Sequence, residues 1–440
     1  MNKLELLKKD FKEKLGILIE KKCFHEATDL VEEYRKFVTT DDTEVYSMQA
    51  VISLMQNNLY EAYKYIQDGL RINPGSGDLL YNLAQVYELR GDYKKASYYY
   101  NEAKGNVEDE DISTHIDFMI SNLDNLKTLD SCSKTNDQPL ISVLIPTYNM
   151  KNYLKEAVDS LLFQTYENIE IIVSDDCSTD GTDKMMLDYA SNPKVKYYRN
   201  VKNIGAKRNG RKLLYEYATG KYVLGVNHDD YLIKANYISK AIEFLEKHPS
   251  VSLVFANLKV LKMTDGTFTY TNLNLPEITS GKDYFLGYET SEQYPHITSV
   301  LTSIYRREDA INSKILLEET ESQDLFLYTK LMLVGDIGFI SDCVGVYRYH
   351  DQSLSFNMPS TDDGSTIKEL EILSERAVEE GFDQSQMSNW LHLRISNYVL
   401  WRFSSLWNSN RTEALKVLLR ISETYPDVFL QITNRLGWIR

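Results

Sequence analysis

The apolar period of the sequence changes at Leu140. Before it, apolar residues recur three and four apart, as at Leu4, Leu7, Phe11, Leu15 and Leu18, the spacing of a helix face. After it come short β-branched runs at residues 141–145, 169–173, 195–198 and 222–226. Helix-like segments separate them. One carries Leu154, Val158, Leu161 and Leu162 on a single face, the next spans 182–189, and the third spans 206–217 with Gly220 beyond its end. A helix over 236–247 and a strand over 251–256 follow. Strands that alternate with helices form βαβ units and a parallel sheet. In open α/β sheets ligands bind beyond the carboxyl ends of the strands.

Residues 1–130 form a helical region with an internal period. Ala84, Tyr87, Gly91, Tyr93, Ala96, Tyr100 and Ala103 fit the tetratricopeptide (TPR) pattern. One repeat of ~34 residues earlier stand Ala50, Asn57, Leu59, Ala62 and Ile66, and Pro74 takes the closing proline position. Phe24 and Ala27 mark a fainter copy. The expectation is a TPR-like domain over 1–130 of about three repeats, the fewest that stack stably; a plain helical bundle is the alternative. Such an array offers a surface for a protein partner and no chemistry of its own. Residues 129–139 are polar and irregular and read as a linker. Helical patterns return at 366–380, 390–406 and 413–425. An α/β domain over 139–357 and a C-terminal helical domain over 358–440 are therefore expected.

A length of 440 residues fits two or three domains. The net charge of −15 argues against nucleic-acid binding, which needs a basic footprint, but leaves room for a local basic site for phosphates. Cys23, Cys132, Cys177 and Cys343 are widely spaced and form no CxxC pair, so a disulfide framework or zinc site is not expected and a reducing compartment is. The first 22 residues are charged and amphipathic, unlike a signal peptide. No apolar run approaches the roughly 18 residues of a membrane span. A cytoplasmic protein is expected, with peripheral membrane contact through a substrate left open.

Polar residues gather at each strand end. They are Pro146, Thr147, Tyr148 and Asn149 after the first, Asp175, Asp176, Cys177, Ser178, Thr179 and Asp180 after the second, and Asn203, Ile204, Gly205, Arg208 and Asn209 after the third. The fourth gives Asn227, His228, Asp229, Asp230 and Tyr231. Each group alone has a plain account as turn residues or helix caps. Four at successive strand ends suit a nucleotide, and adjacent carboxylates suit a hard divalent cation carrying phosphate oxygens.

These motifs, with Gln323-Asp324 and Val346-Tyr347-Arg348-Tyr349-His350, make residues 140–356 resemble a family 2 glycosyltransferase of the GT-A fold. The resemblance implies that Pro146, Thr147, Tyr148 and Asn149 lie at the nucleotide, with Thr147 and Tyr148 against base and ribose. It makes Asp175 or Asp176 a hydrogen-bond acceptor for the base and sets Arg208 near the nucleotide. Asp229 matches the last acid of the family's DxD metal motif and Asp230 the acid after it, while Asn227 replaces the first acid and can supply a neutral oxygen. Cys177 stands at a usual glycine. Asp324 matches the catalytic base of an inverting transfer, which takes the proton of the attacking hydroxyl. Glu321 is a rival for that role, and a capping role for Asp324 on the helix that follows stays open. Arg348 suits diphosphate oxygens through its forked donors. His350 could complete the divalent site or be an ordinary hydrogen-bonded histidine. The loop over 296–303 is expected near the sugar.

The resulting expectation is an inverting hexosyl- or N-acetylhexosaminyl-transferase using Mn²⁺ or Mg²⁺ and a nucleotide-sugar donor, UDP-linked. The acceptor is a cell-surface glycan or a protein docked by the helical repeats. The opposing expectation is a non-catalytic interaction protein with a decayed GT-A domain, motivated by Asn227 and Gln323.

Overall fold

The computed structural model describes residues 3–38, 42–56, 58–106, 110–130, 138–317, 323–351 and 364–437. Asn57, Glu321, Cys132 and the rest of 131–137 lie outside the described residues. The chain divides into two compact units. One holds residues 1–138, 159–167 and 232–239; the other holds 139–158, 168–231 and 240–440.

In the first unit the helices are α1 (Lys3–Glu20), α2 (Phe24–Arg35), α3 (Glu44–Met55), α4 (Leu59–Ile72), α5 (Gly77–Arg90), α6 (Tyr93–Lys104) and α7 (Glu110–Asp130). Each packs on its neighbour in sequence. The recurring small residues Ala27, Ala50, Ala62, Ala84, Ala96 and Ala103 are all fully buried, which lets paired helices approach closely. Gly91 ends α5 at φ 84°, a left-handed C-cap, and Asp92 then caps α6 by accepting from the Lys95 amide. The segment 159–167 joins this core through Phe163, whose ring packs against Tyr60 and Tyr63 and under the Arg90 guanidinium.

The second unit is built on a mixed sheet. In chain order its elements are β1 (Ile141–Thr147), α8 (Lys151–Leu162), β2 (Ile169–Asp175), α9 (Thr182–Met185), β3 (Val195–Arg199), α10 (Ala206–Lys212), β4 (Tyr222–Gly225), β5 (Tyr231–Leu232), α11 (Tyr237–Lys247) and β6 (Val251–Lys262). Then come β7 (Phe268–Tyr270), β8 (Ile278–Thr279), α12 (Gly281–Gly287), β9 (Ile304–Arg306), α13 (Arg307–Asn312), α14 (Gln323–Val334) and β10 (Asp336–Tyr349). The strand order is β3-β2-β1-β4-β9-β6-β10-β5, with β7 on β6 and β8 on β10. Neighbours in the β3-β2-β1-β4 half are parallel, as are β6 and β10, while β9 runs antiparallel between β4 and β6. β1 and β2 are buried almost throughout, so their sequences read as continuous apolar runs. This is the expected α/β GT-A architecture.

Three elements differ from their sequence reading. The helix expected over 206–217 is α10 followed by a π turn, Leu213–Tyr217, closed by the Ala218 amide on the Leu213 carbonyl at 2.9 Å. The helix expected over 182–189 tightens after α9 into a 3₁₀ turn, Met186–Tyr189. The strand expected over 251–256 is part of β6, which runs for twelve residues beside the fourteen of β10. β6 and β10 pair with each other along their length, and that ladder carries β10 beyond its apolar run to Arg348.

Four more helices follow: α15 (Ser365–Glu379), α16 (Gln384–Trp407), α17 (Arg411–Thr424) and α18 (Pro426–Arg435). Leu370, Trp390 and Phe403 share one apolar core with Phe255, Phe285 and Phe326. Trp390 stacks on Phe285 at 4.6 Å and its indole N–H donates to the Phe285 carbonyl.

Candidate active site

The carboxyl ends of β1, β2 and β4 and the end of β10 bring the site residues together. β1 and β2 are in register to their ends, Thr147 opposite Asp175. Their loops are then sewn together. The Asn149 amide donates to Ser178 Oγ at 2.9 Å, Asn149 Oδ1 accepts from the Thr179 amide at 2.7 Å, and the Lys151 amide donates to Asp180 at 2.8 Å. Asn149 and Cys177 both take left-handed backbone, at φ 52° and 69°. Asparagine tolerates that region and glycine is free in it, which explains why glycine is usual at the second position. Asn149, Lys151, Tyr153 and Asp180 line an open depression of about 300 Å³. Tyr148 is exposed, whereas Thr147 is buried and its Oγ1 has no hydrogen-bond partner.

The two acids after β2 are turned inward. Asp175 is fully buried, accepting from the Ser178 amide and the Tyr197 hydroxyl, with Arg199 Nε at 3.5 Å. Asp176 accepts from Asn200 and from the Ile204 and Gly205 amides, all at 2.8 to 3.0 Å. It fastens the loop that starts α10. Neither carboxylate presents an open acceptor to a base. Arg208 lies on the exposed side of α10, and its neighbour Asn209 is buried, bridging Ser174 and Asn200.

At the end of β4 the two adjacent acids separate. Asp229 Oδ2 lies 3.0 Å from His350 Nε2. Asp230 points away into the protein, where its carboxylate accepts from the Arg348 amide at 3.0 Å and from Asn227 at 3.4 Å. Burial first, then the charge of Asp229, pushes the Asp230 carboxyl well above the ordinary range. Of the three expected metal ligands, Asp229 and His350 come together and Asp230 does not join them. Among the described residues no three His, Cys, Asp or Glu side chains converge on one point.

Arg348 is likewise committed. Its guanidinium packs on Tyr231 at 4.4 Å and Tyr153 at 5.1 Å, donates Nη1 to the Asp229 carbonyl at 2.6 Å, and pairs through Nη2 with Glu156. It therefore holds the backbone of the acid pair, and diphosphate oxygens would find its fork already engaged. Asp324 lies in the first turn of α14. It reaches solvent but sits deep among protein atoms, and that desolvation raises its carboxyl, with His296 partly offsetting the rise.

Two supporting residues escaped the sequence reading, and a third, His228, entered it only as part of the strand-end motif. Tyr153 stacks on His350 at 5.6 Å, and Glu156 anchors Arg348. Both lie on α8, nearly two hundred residues before their partners, and no local motif announces them. His228 Nδ1 lies 3.1 Å from the Pro146 carbonyl and ties β4 to the end of β1. Its place inside the acidic motif was the available signal. No described helix is long and apolar enough to cross a membrane.

Residues 142–311 match the family model described as "Glycosyl transferase family 2". A Bacillus subtilis (strain 168) protein named as a teichuronic acid biosynthesis glycosyltransferase, TuaG, is 29% identical over 225 residues, covering 51% of this chain and 84% of that one. An uncharacterized glycosyltransferase of Rickettsia felis is 24% identical over 321 residues, 68% of this chain and 49% of that one. Among solved structures, residues 1–349 of Staphylococcus aureus TarS in complex with UDP-GlcNAc align with a TM-score of 0.47 at 17% identity, covering 68% of this chain and 92% of that one. Strand order and the residues at the strand ends agree with the match of residues 142–311 to the glycosyltransferase family 2 model.

Proposed function

We propose that this domain transfers a sugar from a nucleotide-diphospho-sugar, UDP-linked, to an acceptor hydroxyl with inversion at the anomeric carbon. The observation that carries the proposal is the approach of Asp229 and His350, from β4 and β10, at the end of the sheet where a diphosphate would lie. A carboxylate oxygen and an imidazole nitrogen fit Mn²⁺ and leave positions for phosphate oxygens. Asp229 and His350 would hold the ion, which when bound neutralises charge on the leaving diphosphate. The exposed Tyr148 ring and the unsatisfied Thr147 hydroxyl suit the nucleoside. Asp324, accessible and with a raised carboxyl pKa, suits a base that takes the acceptor proton.

The acceptor reading favoured here is a cell-surface glycan, supported by the similarity to the protein named for teichuronic acid biosynthesis. A protein acceptor held by the helical region, read as TPR-like, is the second reading, and the buried recurring alanines support it.

The test is a hydrolysis panel of nucleotide-sugars with Mn²⁺ and with EDTA. Metal-dependent turnover of one UDP-sugar, abolished by Asp229→Ala and Asp324→Ala, is expected. No turnover together with no UDP binding by calorimetry would support the non-catalytic reading instead. A retained anomeric configuration in the first-formed product, seen by NMR, would remove Asp324 as the base of an inverting step.

A further inference from the structure

Beside Asp324 stands a titratable cluster that the transfer reading leaves unused. His296 Nδ1 lies 2.7 Å from Glu289 Oε1 and 3.3 Å from the Tyr288 hydroxyl. Arg394 of α16 donates Nη2 to Glu289 Oε2 at 2.9 Å and Nη1 to the Tyr288 carbonyl at 2.7 Å. The Arg394 side chain is only 6% exposed, whereas that of His296 is 52% exposed. Glu289 is held at φ 57°, a left-handed conformation costly for a non-glycine residue and concentrated at functional sites. Burial pushes the Glu289 carboxyl up, but the His296 hydrogen bond and the Arg394 charge outweigh it and keep it below the ordinary range. A carboxylate on Nδ1 fixes the neutral tautomer, with the lone pair on Nε2 at the opposite ring edge. The His296 ring stacks on Tyr288 at 6.0 Å, and Tyr288 in turn meets Tyr328 of α14 at 6.4 Å, one helical turn after Asp324. A buried arginine and a part-exposed glutamate that together hold an exposed imidazole next to a carboxylate make the arrangement of an oriented substrate contact.

We propose that His296 receives the acceptor beside Asp324, with Glu289 and Arg394 as the positioning residues that fix its ring. This rests on the transfer reading given above. The attacking hydroxyl gives its proton to Asp324 while its oxygen forms the new bond to the anomeric carbon. The bond from that carbon to the diphosphate oxygen breaks, and the diphosphate leaves with the electron pair. A neighbouring hydroxyl donates to His296 Nε2. The acceptor class this selects is a vicinal diol, hence a sugar, over the lone hydroxyl of serine or threonine. Water, with two hydrogens, satisfies both groups and serves as the minimal acceptor.

The full chain and its His296→Ala, His296→Gln and Glu289→Gln variants would be assayed for UDP-sugar hydrolysis across pH, with thermal unfolding of each as a control. His296→Ala is expected to lower kcat by on the order of 10-fold or more while donor KM stays within about twofold. His296→Gln, which keeps a hydrogen-bond acceptor, should recover part of kcat, and Glu289→Gln should fall between. An unchanged kcat in His296→Ala overturns the proposal, as does a loss carried entirely by donor KM. Absence of both hydrolysis and UDP binding in the unsubstituted chain removes the transfer reading itself, and this proposal with it.

Discussion

Asp229 and His350 lie 121 residues apart in sequence, yet Oδ2 of one is 3.0 Å from Nε2 of the other. Tyr153 stacks on the imidazole, and Arg348 holds the Asp229 carbonyl. The pair is thus fixed from two sides. The two residues should contribute unequally to donor turnover. Asp229→Ala removes the only negative charge of the pair and should lower metal-dependent UDP-sugar hydrolysis by about 100-fold or more, as loss of a charge-stabilising contact does. His350→Ala should cost roughly 10-fold and raise the Mn²⁺ concentration needed for half-maximal rate, which a metal titration would measure. Equal rates in His350→Ala and the unsubstituted chain at every Mn²⁺ concentration would leave His350 as a hydrogen-bond partner alone.

Arg348 gives a second prediction, because its surroundings argue for holding the site rather than touching the donor. Its fork joins α8 to the end of β4, between two tyrosine rings. Arg348→Ala leaves Glu156 without its buried partner and should cost about 3–5 kcal/mol of stability. Arg348→Lys keeps the charge but loses the planar fork, so it should recover only part of that. Denaturant unfolding measures both. Weaker UDP binding in Arg348→Lys with unchanged stability would instead mark a diphosphate contact.

Much of this arrangement was legible before any coordinates. The period switch at Leu140 announces the sheet, and polar residues after each apolar run mark its ligand-binding end. What the sequence hides is orientation. Asp229 and Asp230 are adjacent and chemically identical, yet one meets His350 while the other is buried under the Arg348 amide. The same holds at Asp175 and Asp176, whose carboxylates are used up by nearby amides and side chains. A motif specifies that acids occur at a strand end; the pairing of β10, far down the chain, decides which way each one turns. The lengths of β6 and β10 were hidden for the same reason, since their mutual ladder extends them past the apolar run. The clamp on Arg348 was invisible because Glu156 and Tyr153 sit on an amphipathic helix whose apolar face alone carries a pattern.

Cys177 offers a test of backbone strain. It holds φ 69° where the family usually has glycine, and its Sγ makes only a 3.6 Å contact to the Val201 carbonyl. A side chain in the left-handed region costs roughly 1–2 kcal/mol, while glycine's extra freedom in the unfolded chain takes back about 0.5–1 kcal/mol. Cys177→Gly should therefore stabilise the protein by about 0.5–1 kcal/mol and leave hydrolysis unchanged. Cys177→Ala keeps the strain and should gain nothing. A lower unfolding midpoint for Cys177→Gly would show that the thiol contact outweighs the backbone cost.

Lys330 of α14 predicts how stability depends on pH. Its side chain is 5% exposed, lies 4.0 Å from Glu369 of α15 and donates to the Lys314 carbonyl at 3.4 Å. Burial lowers its pKa from 10.5 to about 8, only partly opposed by Glu369. Below pH 8 the amine is protonated in both folded and unfolded chains, so the full cost of burying the charge is felt. Between pH 8 and 10.5 the folded chain has released this proton while the unfolded chain still holds it. The unfolded state then binds more protons, and stability rises with pH. Lys330→Met abolishes that rise, and comparing the two proteins cancels the titration of the many tyrosines. The stability of the unsubstituted chain relative to Lys330→Met should climb by on the order of 3 kcal/mol across this window. The change should be read from denaturant midpoints at constant ionic strength. A difference that stays flat from pH 8 to 10.5 would mean that Lys330 keeps its ordinary pKa, and that its charge is better solvated or better paired with Glu369 than its burial implies.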